Sequence, residues 1–312
     1  MAKKIITVFG ATGNQGASVV NKFLNDTKVS HDWAIRGVTR DASSDRAKAL
    51  AAKGVEVVTA DLSDKATLVK AMEGASAVFA MTNYWEKADM ELEIQQGKNL
   101  ADAAKDAGVD HYIWSSLPNV SKLTKGVLPN VYHFDSKAQV EEYVRTLNIP
   151  ASFFLPGFFM SNFPGGMLHS ENDNWILRFP FGADKPIPLF DAVADAGKFI
   201  KAMVLHRDQV LGKQILGATD YTTPAQIIEV FKKLFPEAGK TASFEEVTLE
   251  EYKKSVPGPE FIQQELLENM RLVGEFGYYG GAGLEESHAI LDDELTTWEE
   301  HAKNAKAFAG LK

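Results

Sequence analysis

The sequence predicts an α/β protein, in which a doubly wound parallel sheet carries a smaller mixed C-terminal lobe. Short β-rich runs alternate with longer helical patterns over about the first 150 residues, which is typical of βαβ units. The β-rich runs are almost continuously apolar, as expected of parallel strands that are buried on both faces. We therefore expect a first domain over residues 1–156 and a smaller α+β substrate or partner lobe over residues 157–312. Some C-terminal elements are expected to return to the first domain.

The first domain contains six predicted strands, each seven or eight residues long and rich in β-branched or aromatic residues. They are KIITVFG from Lys4, WAIRGVTR from Trp33, VEVVTADL from Val55, SAVFAMTN from Ser76, HYIWSSL from His111 and ASFFLPG from Ala151. Helical patterns lie between them, for example over residues 16–24 and 91–107.

The alternation ends after Pro156. Residues 157–188 are rich in Phe, Gly, Pro and Asn and have little periodicity, so we expect loops beside a cleft. In TTPAQIIEVFKKLF, Thr223 directly before Pro224 indicates a helix start. The segment PEFIQQELLENMRLVGEF predicts an amphipathic helix, and TTWEEHAKNAKAF predicts a final one.

Composition excludes several classes of function. A net charge of −9 argues against a broad electrostatic grip on nucleic acid, which needs clustered Lys and Arg. The chain has no cysteine, so disulfides and thiolate chemistry are excluded and redox chemistry requires a bound cofactor. Seven histidines without an HExxH-type spacing predict no metal site.

The sequence has no apolar run of about 18 residues, no signal-peptide pattern and no basic nuclear-import cluster, so we expect a cytoplasmic protein without a membrane span.

The segment VFGATGNQG places Gly10, Gly13 and Gly16 between the first predicted strand and the first predicted helix. Glycine permits the tight turn, lets backbone approach a pyrophosphate and lets the helix pack closely on the strand. The helix start then offers free amide hydrogens and a partial positive charge. This context predicts a Rossmann-type dinucleotide site; the alternative is a purely structural glycine turn.

The end of the second strand bears on the choice of dinucleotide. Sites for NAD usually place an acid there for the ribose 2′-hydroxyl, whereas a basic residue accommodates the 2′-phosphate of NADP. Here the strand ends with Thr39 and Arg40, and Arg40 carries a planar donor fork suited to phosphate. Asp41 is the alternative that would serve the hydroxyl, and a solvated surface charge is the alternative for Arg40. We expect NADP(H), with NAD(H) as the second choice.

Five segments of the sequence are informative together. They are FGATGNQG, VTR, TNYWE, QQGKNLADAAKDAGVDHYIWSSLPN and HFDSKAQVEEYVRTLNIP. In these segments the chain resembles the NmrA-like family, atypical members of the short-chain dehydrogenase/reductase superfamily. The family includes a fungal negative regulator of nitrogen metabolism and a vertebrate NADPH sensor, and TNYWE and HFDSKAQVEEY are most similar to the sensor. The resemblance is specific over most of the first 165 residues and looser beyond. It implies an NADP(H)-binding redox sensor that acts through protein partners, a transcription regulator among them, in the cytoplasm and in the nucleus.

The resemblance also implies cofactor contacts, which would join the loop glycine Gly10. They are Thr12, Gly13, Asn14, Gln15 and Gly16 at the pyrophosphate, Arg40 at the adenosine, Asp61 and Leu62 beside the adenine, Thr82, Asn83 and Tyr84 beside the ribose and nicotinamide, Lys137 on the nicotinamide ribose, and Phe158 to Asn162 over the nicotinamide. The sensor-type pattern has a basic residue where this chain has Gln95, so one contact is expected to be missing.

Ordinary members of the superfamily use a Tyr-x-x-x-Lys pair, whose spacing puts both side chains on one helix face. The phenol transfers a proton, and the ammonium holds the ribose and lowers the phenol's pKa from about 10. Here His133 takes the place of the tyrosine and Lys137 keeps that of the lysine, while Tyr132 is one residue out of register. A nearby ammonium favours a neutral imidazole, so we expect His133 to be a weak acid. Ser115 and Ser116 occupy the region of the catalytic serine, although they serve equally to satisfy a strand end.

Three functional hypotheses remain. The first is a dinucleotide-binding regulator of protein partners, favoured by the resemblance and by the missing tyrosine. The second is an NADPH-dependent reductase of a small carbonyl or quinone, in which Lys137, His133 and Ser116 are the catalytic candidates. The third is a binding scaffold that keeps the cofactor only for stability. Whether the chain is an enzyme, and its oligomeric state, stay open.

Overall fold

A computed structural model describes residues 2–312; Met1, the first residue of the predicted first domain, lies outside the described residues. The strands within this range are β1 (Lys4–Phe9), β2 (Trp33–Thr39), β3 (Glu56–Thr59), β4 (Ala77–Ala80), β5 (His111–Ser115), β6 (Ala151–Pro156), β7 (Phe158–Phe159), β8 (Leu168–Glu171), β9 (Asn174–Phe179), β10 (Ile187–Phe190), β11 (Gln214–Gly217), β12 (Asp220–Thr222) and β13 (Ser243–Glu246). The α-helices of the same range are α1 (Asn14–Asn25), α2 (Thr27–Ser30), α3 (Asp45–Ala51), α4 (Lys65–Met72), α5 (Met90–Asp106), α6 (Val120–Leu123), α7 (Tyr132–Thr146), α8 (Ala196–Leu205), α9 (Arg207–Val210), α10 (Pro224–Leu234), α11 (Leu249–Ser255), α12 (Glu260–Arg271), α13 (Glu285–His288) and α14 (Trp298–Asn304).

A seven-stranded parallel sheet in the order β11-β6-β5-β4-β1-β2-β3 forms the centre of the molecule, which confirms the predicted fold class. All six predicted strands are present. The winding reverses at β1, which pairs with β2 on one side and with β4 on the other. Ligands of open α/β sheets bind at the carboxyl ends of strands beside such a switch point.

Both faces of the central strands β4, β5 and β6 are buried, which explains their continuous apolar runs. On β5, Tyr112 and Trp114 pack into the core on the face covered by α4, α5 and α7, whereas Ile113 packs into the opposite core with α1 and α8. Adjacent strand residues alternate between faces, and β6 follows the same rule, with Phe153 on the first face and Phe154 on the second. Helices on both sides are therefore required.

The prediction of loops over residues 157–188 is wrong in part, because β7, β8, β9 and β10 lie there. These strands form two small sheets, in the orders β12-β10-β7 and β13-β9-β8. β8 and β9 are joined by a two-residue turn in which Asn172 and Asp173 both have positive φ, at 49° and 65°. Asn and Asp tolerate this conformation, and paired positive-φ residues are typical of tight hairpins. The hairpin arises from local turn chemistry, which leaves no longer periodicity in the sequence.

The helices predicted for the second half are present. Thr223 caps α10, with Pro224 in its first turn, and Gln226 completes a capping box. α12 continues into a π-helical turn over Leu272–Phe276, and α14 is the predicted final helix.

The second half also contributes to the large sheet. β11 is its edge strand beside β6, and α8 packs against α1. The division at residue 156 stays a prediction. Among the described helices, none combines the length and the apolar character that crossing a membrane requires.

Candidate functional site

A cavity of about 790 Å³ opens at the carboxyl ends of β1, β2, β3 and β4, at the switch point of the sheet. Its volume falls within the range of roughly 300–1,000 Å³ that is usual for ligand sites. Its lining includes many of the residues singled out from the sequence. These are Gly10, Thr12, Gly13, Asn14, Gln15, Arg40, Asp61, Leu62, Thr82, Asn83 and Tyr84.

The glycine loop is tightly closed at the floor of the cavity. Gly10 has a φ of 65°, a conformation that side chains rarely adopt, and the Gly13 amide donates to the Gly10 carbonyl at 2.8 Å. A Cβ on Gly16 would lie 2.2 Å from that same carbonyl oxygen. Gly16 is buried and does not line the cavity. It lets α1 begin directly against the loop, as the motif requires.

The start of α1 suits an anion. Its N-cap residue is Gly13, no side chain caps it, and its first turn contains no acid. The free amide hydrogens of this turn and the positive end of the helix therefore meet no competing negative group of the helix itself. Ser115 Oγ donates to Gln15 Oε1 at 3.1 Å and so orients this loop side chain.

Arg40 lies at the end of the cavity nearest β2, where its guanidinium bonds to Glu86 Oε1 on the turn after β4. Asp61 folds onto its own turn, with Oδ1 accepting from the Ser63 amide at 2.8 Å. The Leu62 carbonyl accepts from Asn99 Nδ2 at 2.9 Å, which ties this turn to α5.

Lys137 lies one contact behind the cavity wall. Its Nζ is 2.5 Å from Glu93 Oε1 and 3.2 Å from Thr82 Oγ1, and both partners line the cavity. Glu93 is only 2% exposed, and it also accepts hydrogen bonds from Thr82 Oγ1 and Ser136 Oγ. Sequence reasoning missed Glu93. Its position in the sequence could have indicated this role. Glu93 lies four residues before Gly97, on the buried face of α5 that carries small residues, and an acid on such a face requires a buried partner.

His133 lies outside the lining, and its neighbours differ from those expected. Its Nδ1 is 2.6 Å from Glu265 Oε1 on α12, and its backbone amide donates to the same oxygen at 2.8 Å. The sequence predicts the Lys137 ammonium as the charged neighbour of His133, whereas in the structure that ammonium is paired with Glu93. Glu265 is fully buried, and its second oxygen accepts the Tyr84 hydroxyl at 2.8 Å.

Tyr84 is the phenol in the cavity wall. Burial raises its pKa, and the hydrogen bond to the Glu265 carboxylate raises the pKa further, to well above the ordinary value. Tyr84 is therefore a poor proton donor at neutral pH and does not replace the tyrosine that is missing at position 133.

Of the remaining predicted residues, Ser116, Phe158 and Asn162 lie outside the cavity lining, and their roles stay predictions. Ser116 is fully buried, with its Oγ 3.5 Å from the Leu117 carbonyl. Phe158 is packed in the core, Asn162 is exposed, and Phe159 lines the cavity between them in sequence.

At the departure from the sensor-type pattern, Gln95 is exposed and donates to Asn99 Oδ1 at 2.9 Å, while its neighbour Gln96 lines the cavity. In the described part of the chain, no three His, Asp or Glu residues are grouped to hold a metal ion.

The chain is similar to known proteins over its length. A sequence model described as the NmrA-like family matches residues 2–302. An NmrA-like family domain-containing protein of Dictyostelium discoideum is 28% identical over 317 residues, covering 97% of this chain and 98% of that protein. The NmrA-like family domain-containing oxidoreductase malD of Malbranchea aurantiaca is 32% identical over 259 residues, covering 76% of this chain and 75% of that protein.

Among solved structures, NmrA, a negative transcriptional regulator, in complex with NADP, has a TM-score of 0.80 at 24% identity, covering 98% of this chain and 96% of that chain. The same regulator in complex with NAD has the same TM-score and coverage. At this level of identity the similarity concerns the fold.

Proposed function

The chain belongs to the NmrA-like family, and we propose that it binds NADP(H), with NAD(H) as a second ligand, and that the bound dinucleotide controls its association with a protein partner. The observation that carries the proposal is the uncapped start of α1, which faces the cavity behind a glycine loop that excludes side chains. The solved regulator with this fold binds NADP and NAD.

The residues present fit a dinucleotide. The loop from Gly10 to Gly16 would hold the pyrophosphate, and the Arg40 guanidinium would hold the 2′-phosphate. Asp61 and Leu62 would flank the adenine, as the family resemblance implies. For the nicotinamide half, the family resemblance assigns Thr82, Asn83 and Tyr84, which line the cavity. It also assigns Lys137, Phe158 and Asn162, which lie outside the lining.

The surroundings of the place of the missing tyrosine support a regulatory role. NADPH supplies a hydride when bound, but reduction of a carbonyl also needs a proton donor near the reacting atoms. His133 is outside the cavity lining and bonded to Glu265, and the raised pKa of Tyr84 keeps that phenol protonated. We infer a binding protein whose partner is a transcription regulator or a similar protein, met in the cytoplasm or in the nucleus.

Two measurements on the purified chain test this proposal. Calorimetric titration with NADPH and NADP⁺ should give dissociation constants in the micromolar range; values no tighter than millimolar would contradict dinucleotide binding. A ligand shifts only an equilibrium whose states it binds unequally. Equal affinities for both redox forms, with the same hydrogen-exchange pattern, would contradict redox sensing.

A second candidate function is NADPH-dependent reduction of a small carbonyl or quinone. It is favoured by the retained Lys137 and by the relative named as an oxidoreductase, at 32% identity. Lys137, His133 and Ser116 are its catalytic candidates. Oxidation of NADPH against a panel of quinones and enones tests it. Absence of turnover, or full turnover in Lys137→Ala, would count against this function and leave the binding proposal intact.

A further inference from the structure

An ion pair crosses the cavity at the end nearest β2. Arg40 follows β2, and Glu86 ends the short turn after β4. Because β1 lies between these two strands in the sheet, the pair spans two strand spacings, roughly 10 Å. Both side chains line the cavity, and the Arg40 side chain is 71% exposed. The pair therefore joins the two sides of the site across the width of β1.

Glu86 differs from the other acids of the cavity wall. The carboxylates of the lining are Asp61, Glu86, Asp89 and Glu93. Asp61 accepts from a backbone amide of its own turn, Asp89 caps α5, and Glu93 is bonded to Lys137 behind the wall. Glu86 is thus the one of the four that is bonded to a cation of the lining, and that cation is Arg40.

We propose that Glu86 is a specificity-determining residue, which competes with the 2′-phosphate of NADP(H) for the Arg40 guanidinium. This inference rests on the proposed function. Glu86 Oε1 occupies the Nη1 donor of Arg40, and a phosphate bound across the guanidinium's donor fork needs the same donor, so the two anions compete for it. NADP(H) has to displace Glu86, whereas NAD(H) has no 2′-phosphate and leaves the pair intact. Glu86 therefore narrows the preference for NADP(H) over NAD(H).

Calorimetric titration of the full chain with NADP⁺ and NAD⁺ tests the inference in Glu86→Gln. We expect NADP⁺ to bind about two- to fivefold tighter than to the wild type, because an exposed ion pair is weak and a dianion already displaces it in part. NAD⁺ should bind within about twofold of the wild type. The gain for NADP⁺ should shrink at high ionic strength, since the competition is between charges.

Two further variants make the test specific. Glu91→Gln removes the same charge from an exposed side chain at the start of α5 that does not line the cavity, and it should leave both affinities unchanged. In an Arg40→Ala background, Glu86→Gln should give no additional gain for NADP⁺, because the carboxylate acts through the guanidinium.

The inference is overturned by an unchanged ratio of NADP⁺ to NAD⁺ affinity in Glu86→Gln, or by a gain that persists without Arg40. Either result leaves dinucleotide binding intact. A wild-type chain that binds neither dinucleotide overturns the proposed function itself, so the two failures are distinguishable.

Discussion

A single methyl group at Gly16, in the first turn of α1, should have a large effect. In Gly16→Ala the Cβ would lie 2.2 Å from the Gly10 carbonyl oxygen, so the backbone has to move. Forced overpacking of this kind lowers the free energy of unfolding by about 1–3 kcal/mol. Affinity for NADP⁺ should fall at least about tenfold, because the same backbone forms the anion site. Urea unfolding and calorimetry measure the two effects.

Gly13→Ala is the matched control in the same loop. Gly13 has a φ of −94°, which alanine adopts readily, and its Cβ would lie 3.4 Å from the same oxygen. The loss of stability should stay below about 1 kcal/mol, the range for an N-cap change. Equal losses in Gly13→Ala and Gly16→Ala would contradict the steric argument.

Variants of the buried pair of Lys137 and Glu93 can distinguish a structural role of Lys137 from a role in cofactor binding. Lys137→Met leaves the Glu93 carboxylate, 2% exposed, without its cation. Breaking a buried pair in this way costs about 3–5 kcal/mol. The double variant Lys137→Met/Glu93→Gln removes both charges and should recover at least half of that loss in urea unfolding.

Dinucleotide affinity gives the second readout for this pair. If Lys137 holds the nicotinamide ribose, the double variant should recover stability and still bind NADPH about tenfold more weakly than the wild type. Wild-type affinity in a stable double variant would mean that Lys137 only neutralises Glu93.

Sequence motifs located the glycine loop. They did not identify the acidic side chains that bond to other residues of the candidate site. Gly10 to Gly16 could be predicted because the physical requirement is local: three glycines between a strand and a helix. Glu86, Glu93 and Glu265 were missed because their partners are distant in sequence. Glu265 and Tyr84 are 181 positions apart, and no periodicity brings such pairs together.

At the scale of elements, a cluster of charges joins α1 and α2 to α8. The Lys201 ammonium on α8 is almost fully buried and lies 3.0 Å from Asp26 Oδ2 and 2.7 Å from Asp292 Oδ1. Hydrogen bonds from Lys201 and Lys28 lower the pKa of Asp292 to about 2. Burial raises the pKa of Asp26, but the bonds it accepts, from Lys22 and others, outweigh this and hold it well below its ordinary value.

The cluster predicts a specific loss of stability in acid. A carboxyl with a lowered folded-state pKa stabilises fully above its unfolded pKa, near 4, and loses this effect as the pH falls through the folded value. For Asp292 the window is therefore pH 4 to about pH 2. Asp292→Asn should be less stable than the wild type at pH 7, and the difference should shrink across that window.

Chemical unfolding at each pH measures the effect, with Asp208→Asn as the control because that side chain is 91% exposed. A difference between Asp292→Asn and the wild type that stays constant from pH 7 to pH 2 would contradict the role of the cluster.

The elements of the fold were predictable where one physical signal dominated. The central strands β4, β5 and β6 are buried on both faces and gave continuous apolar runs, and the more exposed strands β2 and β3 also lie where the sequence indicated. β7 to β10 are short and pair in small sheets, where neither a long apolar run nor a regular alternation accumulates. The edge strand β11 carries only four residues, and its place beside β6 is set by packing of the second half onto the first.

At the scale of the whole molecule, the same hydrophobic core passes from the parallel sheet into the C-terminal half. Trp114 and Phe153 of the sheet belong to one buried cluster with Phe179, Phe231 and Phe308. Among the described residues, this buried cluster has members on both sides of residue 156. We therefore expect the two halves to unfold in one cooperative transition, with equal calorimetric and van't Hoff enthalpies.

The variant Phe308→Ala tests this cooperativity, because Phe308 is far in sequence from the residues that line the cavity. Phe308 is 1% exposed, and its ring lies 5.1 Å from Phe231 and 5.5 Å from Trp175. Its removal should lower the free energy of unfolding by about 3–5 kcal/mol. Phe261→Ala, which truncates a side chain that is 50% exposed, should cost less than about 1 kcal/mol.

The stabilisation of this variant by bound dinucleotide then shows whether the chain unfolds as one cooperative unit or as two. A ligand at 100 times its dissociation constant stabilises whatever unfolds together with its site by about 2.7 kcal/mol. If the halves unfold together, NADP⁺ bound in the cavity should restore most of the stability that Phe308→Ala removes from a distant aromatic cluster. Two thermal transitions in that variant, of which NADP⁺ raises only one, would instead establish separate domains. In that case the predicted division at residue 156 would describe the energetics better than the continuous core does.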